Sequence, residues 1–122
     1  MPSNEIWDRV ERLARVLDER TGLGLLAWEK QDSRFSDVYM ANMSGASVFL
    51  DVVSMDPGVE QYRLNAMDSS GNTVLAIDTD EDEVPDSVLV HMRMLAKAVV
   101  DAEEARVRGF LDHLLSELGD PS

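Results

Sequence analysis

The sequence predicts a single α+β domain: an N-terminal helix, an antiparallel meander of four or five strands, and a long C-terminal helix, with both helices on one sheet face. Three observations carry that expectation. Residues 4–20 repeat apolar side chains at helical spacing. Residues 24–78 divide into short β-rich segments separated by glycine-bearing turns. Residues 87–118 contain no proline and one glycine, Gly109. Short turns make consecutive strands antiparallel neighbours, and 122 residues are enough for one core without disulfides or metals.

The first helix occupies 1–22. Ile6, Val10, Leu13 and Leu17 recur at i, i+4, i+7 and i+11, and Trp7 and Ala14 widen the stripe. Ser3 or Asn4 is placed to cap it. Glu5–Arg9, Asp8–Arg12 and Glu11–Arg15 are spaced as i, i+4 ion pairs, and Gly22 is placed as a left-handed stop. The sheet is assigned to 23–79, with Leu23–Lys30 as a first strand anchored by Trp28. Val38–Met43 and Ser47–Met55 flank the turn SGA. Asp56-Pro57-Gly58 is a turn because proline presets φ and glycine accepts positive φ. Glu60–Met67 and Thr73–Asp78 flank DSSGN. Alternation favours Val48, Leu50 and Val52 facing in and Phe49, Asp51 and Val53 facing out, since the reverse would bury Asp51. Met40, Met43, Met55 and Met67 are assigned to the core rather than to an adaptable binding surface.

An acidic connection, 80–86, leads to a long helix over 87–118, with Asp86 or Ser87 as its cap, and a tail at 119–122. Val88, Met92, Leu95, Val99 and Ala102 form one apolar stripe of this helix; Val107, Phe110, Leu111, Leu114 and Leu118 form a second. One continuous helix of this length is ~48 Å long, more than a domain of radius of gyration ~14 Å can span. Either the helix breaks near 101–109 or its end overhangs, and an overhang leaves the second stripe as a self-association or docking surface.

Net charge is −13. Residues 35–92 carry eleven acids and one base, Arg63, whereas the two ends are nearly balanced. Nucleic-acid binding needs a basic patch to displace counterions, so direct DNA or RNA binding is not expected, nor is an anionic membrane surface. No apolar run approaches the ~18 residues of a membrane span. The opening MPSNEIWDRV lacks the basic and apolar regions of a signal peptide, and cysteine is absent. A cytoplasmic protein without disulfides, thiolate chemistry or cysteine-held zinc is the expectation. Arginines outnumber lysines nine to two, a bias that suits a GC-rich genome; a bacterial or phage source is the expectation.

The densest charge is DTDEDEVPDS, residues 78–87. Asp78, Asp80 and Asp82 fit the first three ligand positions of an EF-hand loop, but Glu83 stands where the turn glycine belongs and Leu89 where the bidentate glutamate belongs. The preceding strand also breaks the helix–loop–helix context, so no metal is expected. The bland reading is a strand-to-helix connection whose acids complement a helix N-terminus. His91 and His113 lie too far apart on one helix to share a ligand, at ~33 Å. No nucleophile elbow, P-loop or dinucleotide fingerprint occurs, and no cofactor or enzymatic activity is expected.

The sequence therefore suggests a small, acidic, non-enzymatic protein-binding protein with a basic protein partner. Inhibitors of immunity, anti-defence or DNA-mimic type and acidic chaperone-like escorts share this physics. The acidic contact residues would be Asp51, Asp78, Asp80, Glu81, Asp82 and Glu83. The alternative is a structural or assembly subunit that docks, or forms a homodimer, through Val107, Phe110, Leu111, Leu114 and Leu118; an enzyme of unknown class is a minor alternative.

Overall fold

The computed structural model describes residues 4–31, 37–56, 59–79 and 83–119, with backbone alone over 54–56, 59 and 60. The element order is α1 (Asn4–Gly22), β1 (Glu29–Gln31), β2 (Asp37–Met43), β3 (Ala46–Asp56), β4 (Val59–Asp68), β5 (Thr73–Asp78) and α2 (Asp86–Glu117). The five strands form one antiparallel sheet in the order β1-β2-β3-β4-β5, a plain meander.

The helix ends differ in detail from the sequence expectation. α1 runs through Gly22, and Gly24 takes the left-handed conformation at φ 73°. Gly24 N–H donates to the Thr21 carbonyl and Leu25 N–H to that of Arg20, the pair of bonds that defines a Schellman ending. That ending consumes residues the sequence assigns to a first strand. β1 shrinks to Glu29–Gln31, and Leu23 and Leu25 lie exposed. None of the three i, i+4 pairs of α1 closes as an ion pair among the described residues; Arg9 donates instead to the Glu5 carbonyl at 3.2 Å. At α2 the capping residue is Pro85, not Asp86 or Ser87. No side chain caps it, and the Pro85 carbonyl accepts from Val88 and Leu89 N–H.

Both helices cover one sheet face. Val10, Ala14 and Leu17 of α1 and Val88, Met92, Leu95 and Val99 of α2 pack into one core with Tyr39, Val48, Leu50, Tyr62, Leu64 and Ile77. Each fully buried aliphatic side chain here contributes ~1.5–3 kcal/mol relative to exposure. Trp28 anchors the α1–β1 corner: its indole N–H donates to Thr21 Oγ1 at 2.8 Å, and that hydroxyl donates to the Leu17 carbonyl at 2.7 Å. The β3 register puts Val48 and Leu50 inside and Phe49 and Asp51 on the other face. Met40, Met43 and Met67 are not core. Met40 and Met67 stand half-buried on the outer face and Met43 is exposed, while the side chain of Met55 lies outside the described residues. The methionine of the core is Met92.

α2 is continuous through 101–109. It crosses the strands instead of following them. Leu89 and Arg93 share a cleft with Tyr62 and Thr79. Ala96 and Val100 share one with Val52 and Tyr62, and Val100 and Glu103 one with Tyr39 and Lys30. The helix thus passes from the β4–β5 side to the β1–β2 edge and leaves the body there. Residues 104–119 are all exposed.

Candidate protein-binding surfaces

Two surfaces emerge from this architecture. The first is an acidic end of the sheet. In an antiparallel meander the end of β1, the start of β2, the end of β3, the start of β4 and the end of β5 all meet at one end. By backbone position that side of the sheet holds Asp56 and Glu60 beside the β3–β4 turn and Asp37 and Asp78 at strand ends, with Asp51 midway along β3 in the row of Asp78 and next to that of Asp37; α2 begins just beyond β5, with Glu83 and Asp86 nearby in sequence. The opposite end, where β2 meets β3 and β4 meets β5, holds Asp68. Asp68 is structural: its Oδ1 accepts from Ser70 and Asn72 N–H at 2.9 and 3.0 Å and closes the turn in which Gly71 takes φ 84°. The sequence spreads these acids along fifty-odd residues; the register brings Asp37, Asp51 and Asp78 into adjacent rows.

Two bases at the acidic end are already engaged. Lys30 Nζ lies 3.5 Å from Asp37 Oδ1, and Arg63 Nε donates to Asp78 Oδ2 at 2.9 Å. Gln61 Nε2 donates to Asp78 Oδ1 at 2.7 Å. Asp78 is therefore held by β4 on both oxygens. Asp51 stands in the same row of the outer face, between Val38 on β2 and Arg63 on β4. Its Oδ1 is buried and accepts no hydrogen bond. Glu83 is exposed. Asp80, Glu81 and Asp82 lie outside the described residues.

The outer sheet face around Asp51 mixes chemistries in register. Met40, Phe49 and Asn65 form the neighbouring row, and all three are half-buried by their own neighbours. No helix covers this face among the described residues.

The second surface is the projecting end of α2. Val107, Phe110, Leu111 and Leu114 are 41–57% exposed and Leu118 is 83% exposed, so the whole second stripe stands clear of the core. Leu115, which the sequence reading passed over, belongs with them at 41% exposure. Val107, Leu111 and Leu115 face back toward Lys30, Asp37 and Tyr39, enclosing an open groove of about 640 Å³. At its root Arg106 pairs with Glu103 through two hydrogen bonds of 2.8 and 3.1 Å, which hold the Glu103 carboxyl below its ordinary range. The Tyr39 phenol at the groove floor is pushed up by burial first and by the Asp37 carboxylate second.

Other candidates fall away. His91 Nε2 lies 3.5 Å from Glu11 Oε1 and links α2 to α1; His113 lies 3.9 Å from Glu117 on the exposed helix. Among the described residues no three His, Asp or Glu side chains gather as metal ligands, and no helix is long and apolar enough to cross a membrane. No family model matches this chain, and neither does any curated protein or solved structure.

Proposed function

We propose that the chain is a small, acidic, non-enzymatic protein-binding protein that engages a basic protein through the acid-rich end of its sheet. The observation that carries this reading is that the register sets Asp37, Asp51 and Asp78 in two adjacent rows across β2, β3 and β5, with Asp56 and Glu60 further along toward the β3–β4 turn and Asp68 at the opposite end. Lys30 and Arg63 neutralise only part of that charge. An asymmetric field of this kind speeds encounter with a cationic partner and repels nucleic acid. Inhibitors that cover a nucleic-acid-binding surface and escorts of basic clients both use it.

The test is capture from the host on immobilised protein at low salt and again at ~1 M salt, where screening shortens to ~3 Å. A basic protein should be retained at low salt and released at high salt. Reversal of Asp80, Glu81, Asp82 and Glu83 to lysine should abolish retention while the melting temperature stays within a few degrees. Equal retention by the reversed protein makes residues 80–83 a solvated connection only, and equal retention at low and at ~1 M salt refutes the reading.

A second reading, an assembly subunit that docks through α2, is favoured by the projecting stripe. Six half-exposed apolar residues leave roughly 5–9 kcal/mol of burial to be gained, at about half the ~1.5–3 kcal/mol of a full side chain each. Association costs ~4–15 kcal/mol. One stripe on a polar surface therefore yields little affinity, and the occupant must bring apolar surface of its own.

A further inference from the structure

We propose that the occupant of the projecting helix is a second copy of this chain, paired with it as an antiparallel helix pair about a two-fold axis. The inference rests on the assembly reading and deepens it. Val107, Leu111, Leu114 and Leu118 are spaced 4-3-4, the seam of a two-stranded coil. A seam that meets its own copy satisfies the requirement for apolar surface on both sides, and a two-fold pair closes without leaving a free face.

Charge selects the orientation. Residues 104–119 carry three acids and two bases, so the stub is nearly neutral while the body holds most of the −13. A parallel pair would set two acidic bodies side by side. An antiparallel pair puts them at opposite ends of a stub ~22 Å long, more than twice the ~8 Å screening length at physiological salt. In that arrangement Leu111 of each copy meets Leu114 of the other, and Val107 meets Leu118. Leu118, the most exposed residue of the stripe at 83%, then reaches the mouth of the groove that Val107 and Leu115 share with Tyr39.

The chain has no cysteine, so introduced cysteines report alone. A mixture of Leu111→Cys and Leu114→Cys proteins, oxidised at micromolar concentration, should give the 111–114 cross-link and little 111–111 product. Sedimentation equilibrium should find twice the 13.6 kDa chain mass, with dissociation unchanged or weakened at ~1 M salt. Leu111→Asp with Leu114→Asp should give a monomer whose circular dichroism and melting of the body are retained. A wild-type monomer at submillimolar concentration overturns the proposal, and so does a dominant 111–111 product, which is the mark of parallel pairing. Failure of the assembly reading is separate: it follows if the double aspartate variant still captures the same salt-resistant partners.

Discussion

Asp51 offers a quantitative test of the idea that charge at the acidic end is retained for binding at the expense of stability. Its Oδ1 is buried without a hydrogen bond, a state that costs ~1–3 kcal/mol. Arg63 stands directly opposite on β4, and such a cross-strand pair returns ~0.2–1 kcal/mol. Arg63 already gives its Nε to Asp78, which keeps that return small. Val38 flanks Asp51 on the other side, so a β-branched apolar residue meets an apolar neighbour. Asp51→Val should therefore stabilise the domain by about 1–2 kcal/mol. Urea unfolding followed by the fluorescence of Trp7 and Trp28 measures it: the midpoint should rise with an unchanged slope. The same variant should lose affinity for a basic partner. Destabilisation by ~1 kcal/mol or more would show that Asp51 is a structural partner of Arg63, and the argument that it serves binding would fail.

Three further outcomes are expected. Trp28→Phe removes the indole N–H that Thr21 Oγ1 accepts and should cost ~1–3 kcal/mol in chemical unfolding; a cost near zero would mean that the buried corner has no need of the bond. The Tyr39 phenol, held neutral by burial and by Asp37, keeps its proton more tightly in the folded state. Its contribution to stability is present below the unfolded value of ~10 and lost as pH rises through the higher folded value; ultraviolet titration of wild type against Tyr39→Phe should reveal one late phenol, and identical curves would contradict this. A chain ending at Ala105 should keep the stability of the isolated body within ~0.5 kcal/mol, because 106–119 are exposed. Collapse of the body on truncation would show that the overhang is part of the fold.

The fold was legible where local chemistry and packing agree. The α1 stripe of Val10, Ala14 and Leu17 and the turns at Gly45 and Gly71, both at positive φ, declare themselves by spacing and by glycine. Asp51 selected the β3 register because its burial on the helix-covered face would be costly. The first strand was misread because Leu23 and Leu25 look like strand residues, while a Schellman ending at Gly24 had prior use of them. Methionine identity did not separate core from outer face, since an unbranched thioether suits both. The α2 overhang was readable in part. Continuing the core stripe Val88, Met92, Leu95, Val99 by the same spacing falls on Ala102, Arg106, Gly109 and His113. No large apolar side chain stands there, and the second stripe lies ~100° around the helix from the first. That phase break marks the point where α2 leaves the body. Polarisation of the acids could not be read from composition, because it depends on which strand ends the meander brings together.

The most direct test of the acidic-end account is nuclear magnetic resonance mapping of a short polyarginine peptide titrated at low salt. The account predicts amide shifts concentrated at Asp37, Asp51, Asp78, Glu83 and Asp86, with little change around Asp68, Ser70 and Asn72, and loss of the pattern at ~1 M salt. Equal perturbation at both ends of the sheet would contradict it.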